Sequence, residues 1–337
     1  MGGEKRQILH NIGNTPIVEL NCDEIPGVQV FAKLEFLNPT GSVKDRAAKY
    51  IIETLLETGK IDSSSILVES TSGNFGIALS SYSKMYGLPF YCVIDPLISP
   101  INEQLIRLLS EKVFKVDKRD ENGGYLLNRL RKINELLQSD SNIYWVNQYW
   151  NPLNAEAYYH SLGDEILAQM DNDLNYIFIG VSSGGTITGL SQKIKEKLPS
   201  CKVIAVDIEG SVVFGGIPAK RYIPGIGSSM VPPILQGAQI DEIVYVNEYS
   251  TIQYCKKLLR DYSIFAGGSS GSAMAAIHKY FSMEKLTDQK KAKVMTIFCD
   301  RGDRYASTIY NDVWVNNTYS DFLTHLSEKT QESLSGR

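Results

Sequence analysis

The chain has 337 residues, with 34 Lys or Arg against 38 Asp or Glu, for a net charge of −4. That length asks for about two domains, and a mildly acidic chain with scattered cations carries no electrostatic footprint for nucleic acid. Five cysteines far apart in the sequence, without a C-x-x-C pair, argue against a disulfide framework or zinc ribbon and for a reducing, cytoplasmic setting.

Taken in chain order, the pattern predicts a helix over Asp45–Leu56, then strands at Ile66–Glu69, Tyr91–Ile94 and Val113–Val116. A helix follows over Leu126–Leu137, a strand at Tyr144–Val146, and a helix over Ala155–Met170. Next come a strand at Tyr176–Ile179, a helix over Ile187–Leu198, and strands at Val203–Asp207, Ile243–Val246 and Val294–Phe298. Near-continuous Val/Ile/Tyr/Phe runs mark parallel strands buried on both faces, and their alternation with helices argues an α/β architecture. No apolar run reaches the roughly 20 residues of a membrane helix, and the opening residues lack the apolar core of a signal peptide. The polar tail after about Asn316 is expected to fray.

Open parallel sheets bind ligands where strands lead into helices. Three such loops are dense in small polar residues: Ser70 to Asn74, Ser182 to Thr186 and Gly267 to Ser272. The second reads as an anion cradle of exposed N–H groups at a helix start, or as a tight turn with Thr186 capping the helix. It lacks both nucleotide-binding glycine fingerprints. It also fits G-x-S-x-G at Gly180, Ser182 and Gly184, but so does Gly267, Ser269 and Gly271, and no suitably placed histidine follows either. The four histidines are dispersed, so no metal site is expected. Lys44 follows the Pro39–Gly41 turn at the start of a helix. There it is either a Schiff-base amine or an ordinary solvated lysine.

Together these pieces resemble the fold-type II pyridoxal-5′-phosphate enzymes of the cysteine synthase and cystathionine β-synthase family. The resemblance runs from about Ile8 to Asp312 and rests on Ile12 to Pro16, Asn38 to Arg46, Thr71 to Asn74, Gln148 with Asn151-Pro152, Ser183 to Thr186, Pro224 to Gly227 and Gly267 to Ser269. It implies the tryptophan-synthase-β-like fold, with two three-layer αβα domains. Residues 1–37 and 150–315 would form the larger cofactor domain, 38–149 a smaller mobile domain, and 316–337 a tail. Lys44 would hold the cofactor covalently and shuttle the α-proton. Asn74 would bond the cofactor's phenolic oxygen, Ser183, Gly184, Gly185 and Thr186 its phosphate, and Ser269 its ring nitrogen. Thr71, Ser72 and Gln148 would bind the amino-acid carboxylate.

The departures from cysteine synthases are Phe75, Tyr149, Ser182 and Pro224. The stretches Ala205 to Gly215, Arg221 to Pro233, Ala266 to Ser269 and Asp300 to Tyr305 are closer to the N-(2-amino-2-carboxyethyl)-L-glutamate synthases of 2,3-diaminopropionate formation for siderophores and peptide antibiotics. That branch implies a homodimeric transferase joining O-phospho-L-serine to L-glutamate through an α-aminoacrylate. Arg129, Tyr149, Ser182 and Gly225 would contact substrate, with Arg129 and the hydroxyls meeting the phosphoseryl group. Arg129 would otherwise sit on a solvated helix face. Arg221 is a candidate for holding the glutamate. Cysteine synthase, acting on O-acetylserine or O-phosphoserine with sulfide, is the alternative within the family.

Overall fold

The computed structural model describes residues 4–121, 124–283 and 291–320. Among the described residues, ten strands form two sheets. Strands β1 (Ile17–Leu20), β2 (Val28–Lys33), β7 (Tyr176–Gly180), β8 (Lys202–Ile208), β9 (Glu242–Val246) and β10 (Ala292–Ile297) make the larger, in the order β1-β2-β10-β7-β8-β9. All its pairings are parallel except β1 with β2. Strands β3 (Ile66–Ser70), β4 (Phe90–Ile94), β5 (Lys112–Lys115) and β6 (Ile143–Trp145) make a wholly parallel second sheet, β5-β4-β3-β6.

The helices are α1 (Lys44–Glu57), α2 (Asn74–Tyr86), α3 (Pro100–Leu109), α4 (Leu126–Ser139), α5 (Leu153–Ala157), α6 (Gly163–Gln169), α7 (Gly185–Lys197), α8 (Glu248–Tyr262), α9 (Gly268–Met283) and α10 (Asp312–Thr318). None is long and apolar enough to cross a membrane. Strand alternation divides the apolar side chains. In the larger sheet, Ile177, Ile179, Val203 and Met295 face one core, while Phe178, Ile204, Val206 and Val294 face the other, against α9. In the smaller sheet Leu67 and Cys92 join that first core, and Val68 and Val93 pack with Ile133 of α4. Each sheet is thus the middle of three layers, and one continuous core runs between them.

Two details depart from the sequence pattern. The strands β1 and β2 were not anticipated, and the helix expected over Ala155–Met170 is interrupted by a π-turn at Tyr158–Leu162. Of the expected tail, Asp312–Thr318 includes the first residues as helix, and 321–337 lie outside the described residues.

Candidate active site

Four helices begin at one place. Lys44 is the first residue of α1, Asn74 of α2, and Ser269 the second of α9, while Ser183 and Thr186 flank the start of α7. All five line a cavity of about 200 Å³ between the two sheets. Converging helix N-termini bring unpaired N–H groups and positive dipole ends, which favour an anionic ligand. Gly184 caps α7 at φ +88°, where a side chain would be strained and would strike Ile234 and Leu235. A Cβ on Gly185 would strike the Asn154 amide. The cap here is therefore Gly184 rather than Thr186. Gly184 and Gly185 shape the loop but are not part of the cavity wall.

The remaining expected residues gather at the same cavity: Thr71, Ser72, Arg129, Gln148, Tyr149, Ser182 and Gly225. Lys44 Nζ lies 3.4 Å from Thr186 Oγ1 and 5.6 Å from the ring centre of the buried Tyr158. Behind the 70–74 loop, the fully buried Glu69 accepts the backbone N–H of Gln148 at 3.0 Å and of Ser70 at 2.8 Å. Gln148 Nε2 in turn donates to Ser70 O at 3.3 Å. Burial pushes the Glu69 carboxyl up to about 7 despite these donors. Ser182 Oγ donates to Gly227 O at 3.1 Å, tying the α7 loop to the 224–227 loop.

Arg129 comes from α4 into the cavity wall, with Nη1 3.3 Å from Asp95 Oδ2. Its Nε is buried with no hydrogen-bond partner among the described residues. Burial raises the Tyr149 phenol above its ordinary value, with Arg129 acting against it; the hydroxyl stays a donor at neutral pH. Arg221 is not in the cavity wall; it donates to Ile226 O and Ser229 Oγ.

Sequence reading missed Asp95, Glu69, Cys299 and Asp300. Cys299 and Asp300 line the cavity, and Asp300 accepts Asn74 Nδ2 at 2.7 Å. An amine beside a hydroxyl, a glycine-built cradle of helix-start N–H groups, and an amide aimed at the same space form a donor set that fits a phosphate-bearing aldehyde such as pyridoxal phosphate.

Comparison with known proteins agrees. A family model described as "Pyridoxal-phosphate dependent enzyme" matches residues 8–300. The structure of an O-acetylserine dependent cystathionine beta-synthase from Helicobacter pylori is 34% identical, with a TM-score of 0.83, over 90% of this chain and 98% of that one. That of a hydrogen sulfide-producing enzyme from Fusobacterium nucleatum is 29% identical, with a TM-score of 0.81, over 89% of this chain and 99% of the other. The cavity thus lies within a matched region that covers most of the molecule, and the chain belongs to the pyridoxal-phosphate dependent enzyme family.

Proposed function

We propose that the chain catalyses β-replacement on an O-substituted L-serine, with O-phospho-L-serine as donor and L-glutamate as incoming amine, giving N-(2-amino-2-carboxyethyl)-L-glutamate and phosphate. The observation that carries the choice of donor is Arg129. A guanidinium in the cavity wall, with one N–H unpaired and its other end 3.3 Å from Asp95, can take a phosphate ester. An acetyl group would leave that cation without purpose.

Bound pyridoxal phosphate would supply the electron sink for the pair left when the α-proton departs. Lys44 Nζ takes that proton and later returns it. Ser183 and Thr186, on a loop shaped by Gly184 and Gly185, hold the cofactor phosphate; Asn74 and Ser269 hold its ring. Thr71, Ser72 and Gln148 orient the substrate carboxylate. Arg129, Tyr149 and Ser182 hold the leaving phosphate, and Gly225 lies against the substrate. Residues 38–149 would close on the cleft and exclude water, which otherwise intercepts the activated substrate. The resemblance also supports a cytoplasmic homodimer.

A second reading has one specific support: the Helicobacter pylori relative, whose name states O-acetylserine dependence. Under it the chain acts on O-acetylserine with sulfide or a thiol, and Arg129 is a structural partner of Asp95. Purified protein loaded with cofactor is given each serine ester, with glutamate or sulfide, and released phosphate and acetate are measured. Phosphate release that requires glutamate upholds the proposal. Turnover of O-acetylserine alone replaces it with the second reading.

A further inference from the structure

The stretch from Asp300 to Tyr305 touches the loops that build the cavity. Asp300 bridges Ser42, two residues before Lys44, and Arg301 bridges Ala266, three before Ser269. Val43 N donates to Cys299 O at 2.8 Å, and Gly267 N to Asp300 O at 2.9 Å. Arg304 donates to Thr40 O. At the centre lies the Asp300 carboxyl, 2% exposed. Its Oδ2 accepts two donors, Asn74 Nδ2 at 2.7 Å and the Tyr305 hydroxyl at 2.8 Å. A Cβ on Gly267 would collide with Oδ1, so only glycine there lets the carboxyl sit against the backbone.

Asn74 is half-buried, and both it and the nearly buried Asp300 line the cavity, with the Asp300 carboxyl holding the Asn74 amide. Asp300 Oδ2 accepts from Asn74 Nδ2 as it does from the Tyr305 hydroxyl, so the face of the Asn74 amide that meets the carboxyl is the NH₂. That fixes which way the amide is flipped. One N–H is committed to Asp300, and the second N–H of the same nitrogen is left for the cavity. Bonding to a carboxylate also strengthens the amide as a donor. Burial pushes the Asp300 carboxyl up, with Arg304, Asn74, Tyr305 and Lys44 acting against it. The Tyr305 phenol is raised well above its ordinary value by burial and by Asp300, so it remains a donor.

We propose that Asp300 is the positioning residue for Asn74. With Tyr305 as its second donor, it locks the amide so that an N–H, not the carbonyl, faces the phenolic oxygen of the cofactor. The proposal rests on the cofactor reading of the cavity and not on which serine ester is used. A carboxyl that merely braced the fold would not alter the cofactor's electronic state; one acting through Asn74 would.

The test uses full-length wild type, Asp300→Asn, Asn74→Ala and the double variant, each titrated with pyridoxal 5′-phosphate. Two quantities are read: the dissociation constant, and the ratio of the near-ultraviolet and visible absorption bands, which reports protonation at the phenolic oxygen. Asp300→Asn is expected to shift the ratio and weaken binding about tenfold. Adding it to Asn74→Ala is expected to change neither by more than about twofold, because both act through one group. Unchanged bands in Asp300→Asn, or additive losses of about a hundredfold in the double variant, overturn the proposal. A wild type that takes up no cofactor overturns the reading beneath it as well. If Asp300→Asn does not fold, Tyr305→Phe serves instead. A band shift that vanishes in the Asn74→Ala background supports the proposal, and no shift, or one that persists there, overturns it.

Discussion

Arg46 and Glu35 form a two-point ion pair out of reach of water, with Nε 2.7 Å from Oε2 and Nη2 2.8 Å from Oε1. Arg46 also reaches Glu165 at 2.7 Å, and Lys33 reaches Glu165 at 2.8 Å. Two cations and two carboxylates therefore balance where β2, α1 and α6 meet, two residues along α1 from Lys44. Burial raises the Glu165 carboxyl, but Arg46 and Lys33 overcome this and hold it at about 2.

Arg46→Ala would leave Glu35 in the interior without its cation, held only by the neutral donors Thr15 Oγ1 at 2.6 Å and Asn38 Nδ2 at 2.9 Å. A buried pair broken from one side costs about 3–5 kcal/mol. The urea midpoint should drop accordingly, and cofactor affinity should fall with it because the first turn of α1 loses its anchor. A loss under about 1 kcal/mol would show that the donors Thr15 and Asn38 suffice to hold Glu35.

Glu69 supports a pH prediction. Its carboxyl is raised from 4.5 to about 7, chiefly by burial. Between those values the unfolded chain gives up the proton and the folded chain keeps it. This group's share of stability is therefore full below about 4.5 and is lost as pH rises toward 7. Glu69→Gln removes that dependence. The stability of the variant relative to wild type should rise by on the order of 2 kcal/mol from pH 4.5 to 7, read from denaturation midpoints at each pH. A constant difference across that range would mean that Glu69 is ionised throughout.

The strands were legible where both faces are buried, because apolar runs such as Tyr176–Gly180 leave no room for another reading. Strand β2 was not. It reads VQVFAK, a short run broken by Gln29 and ending in Lys33, a charge that is fully buried against Glu165. The glycine- and serine-rich loops marked the cavity because close backbone approach demands those residues. Asp300 could not be assigned a role from sequence, since its partner Asn74 is 226 positions away. Asp95, the partner of Arg129, was hidden for the same reason: a side-chain contact between a loop and a distant helix leaves no periodic trace. The π-turn at Tyr158–Leu162 inserts into a stretch with ordinary helical spacing, and hydrophobic pattern does not register a wider turn.

Lys44→Ala should leave the fold intact, since the side chain is half-buried and makes one side-chain hydrogen bond, a long one of 3.4 Å to Thr186. Two things should disappear. Pyridoxal phosphate should wash out on gel filtration instead of travelling with the protein, and turnover should fall at least about a thousandfold with the loss of amine and proton carrier. Turnover retained within tenfold of wild type would remove Lys44 from the chemistry.

Arg129 separates the two proposed donors. Removing a charged hydrogen-bond partner costs about 1.5–3 kcal/mol, so Arg129→Ala should lower kcat/KM for O-phosphoserine about ten- to a hundredfold and leave O-acetylserine within about twofold. Asp95→Asn adds the sign test. Asp95 Oδ2 lies 3.3 Å from Arg129 Nη1 and is a competing anion for the guanidinium. Neutralising it should preserve or tighten phosphoserine binding while Arg129→Ala weakens it. If Arg129 only braces Asp95 against α4, the two variants must fail together. Both would then lose stability in denaturation, and both would affect the two esters alike. Opposite effects on phosphoserine KM can arise only if the cation is used by the substrate.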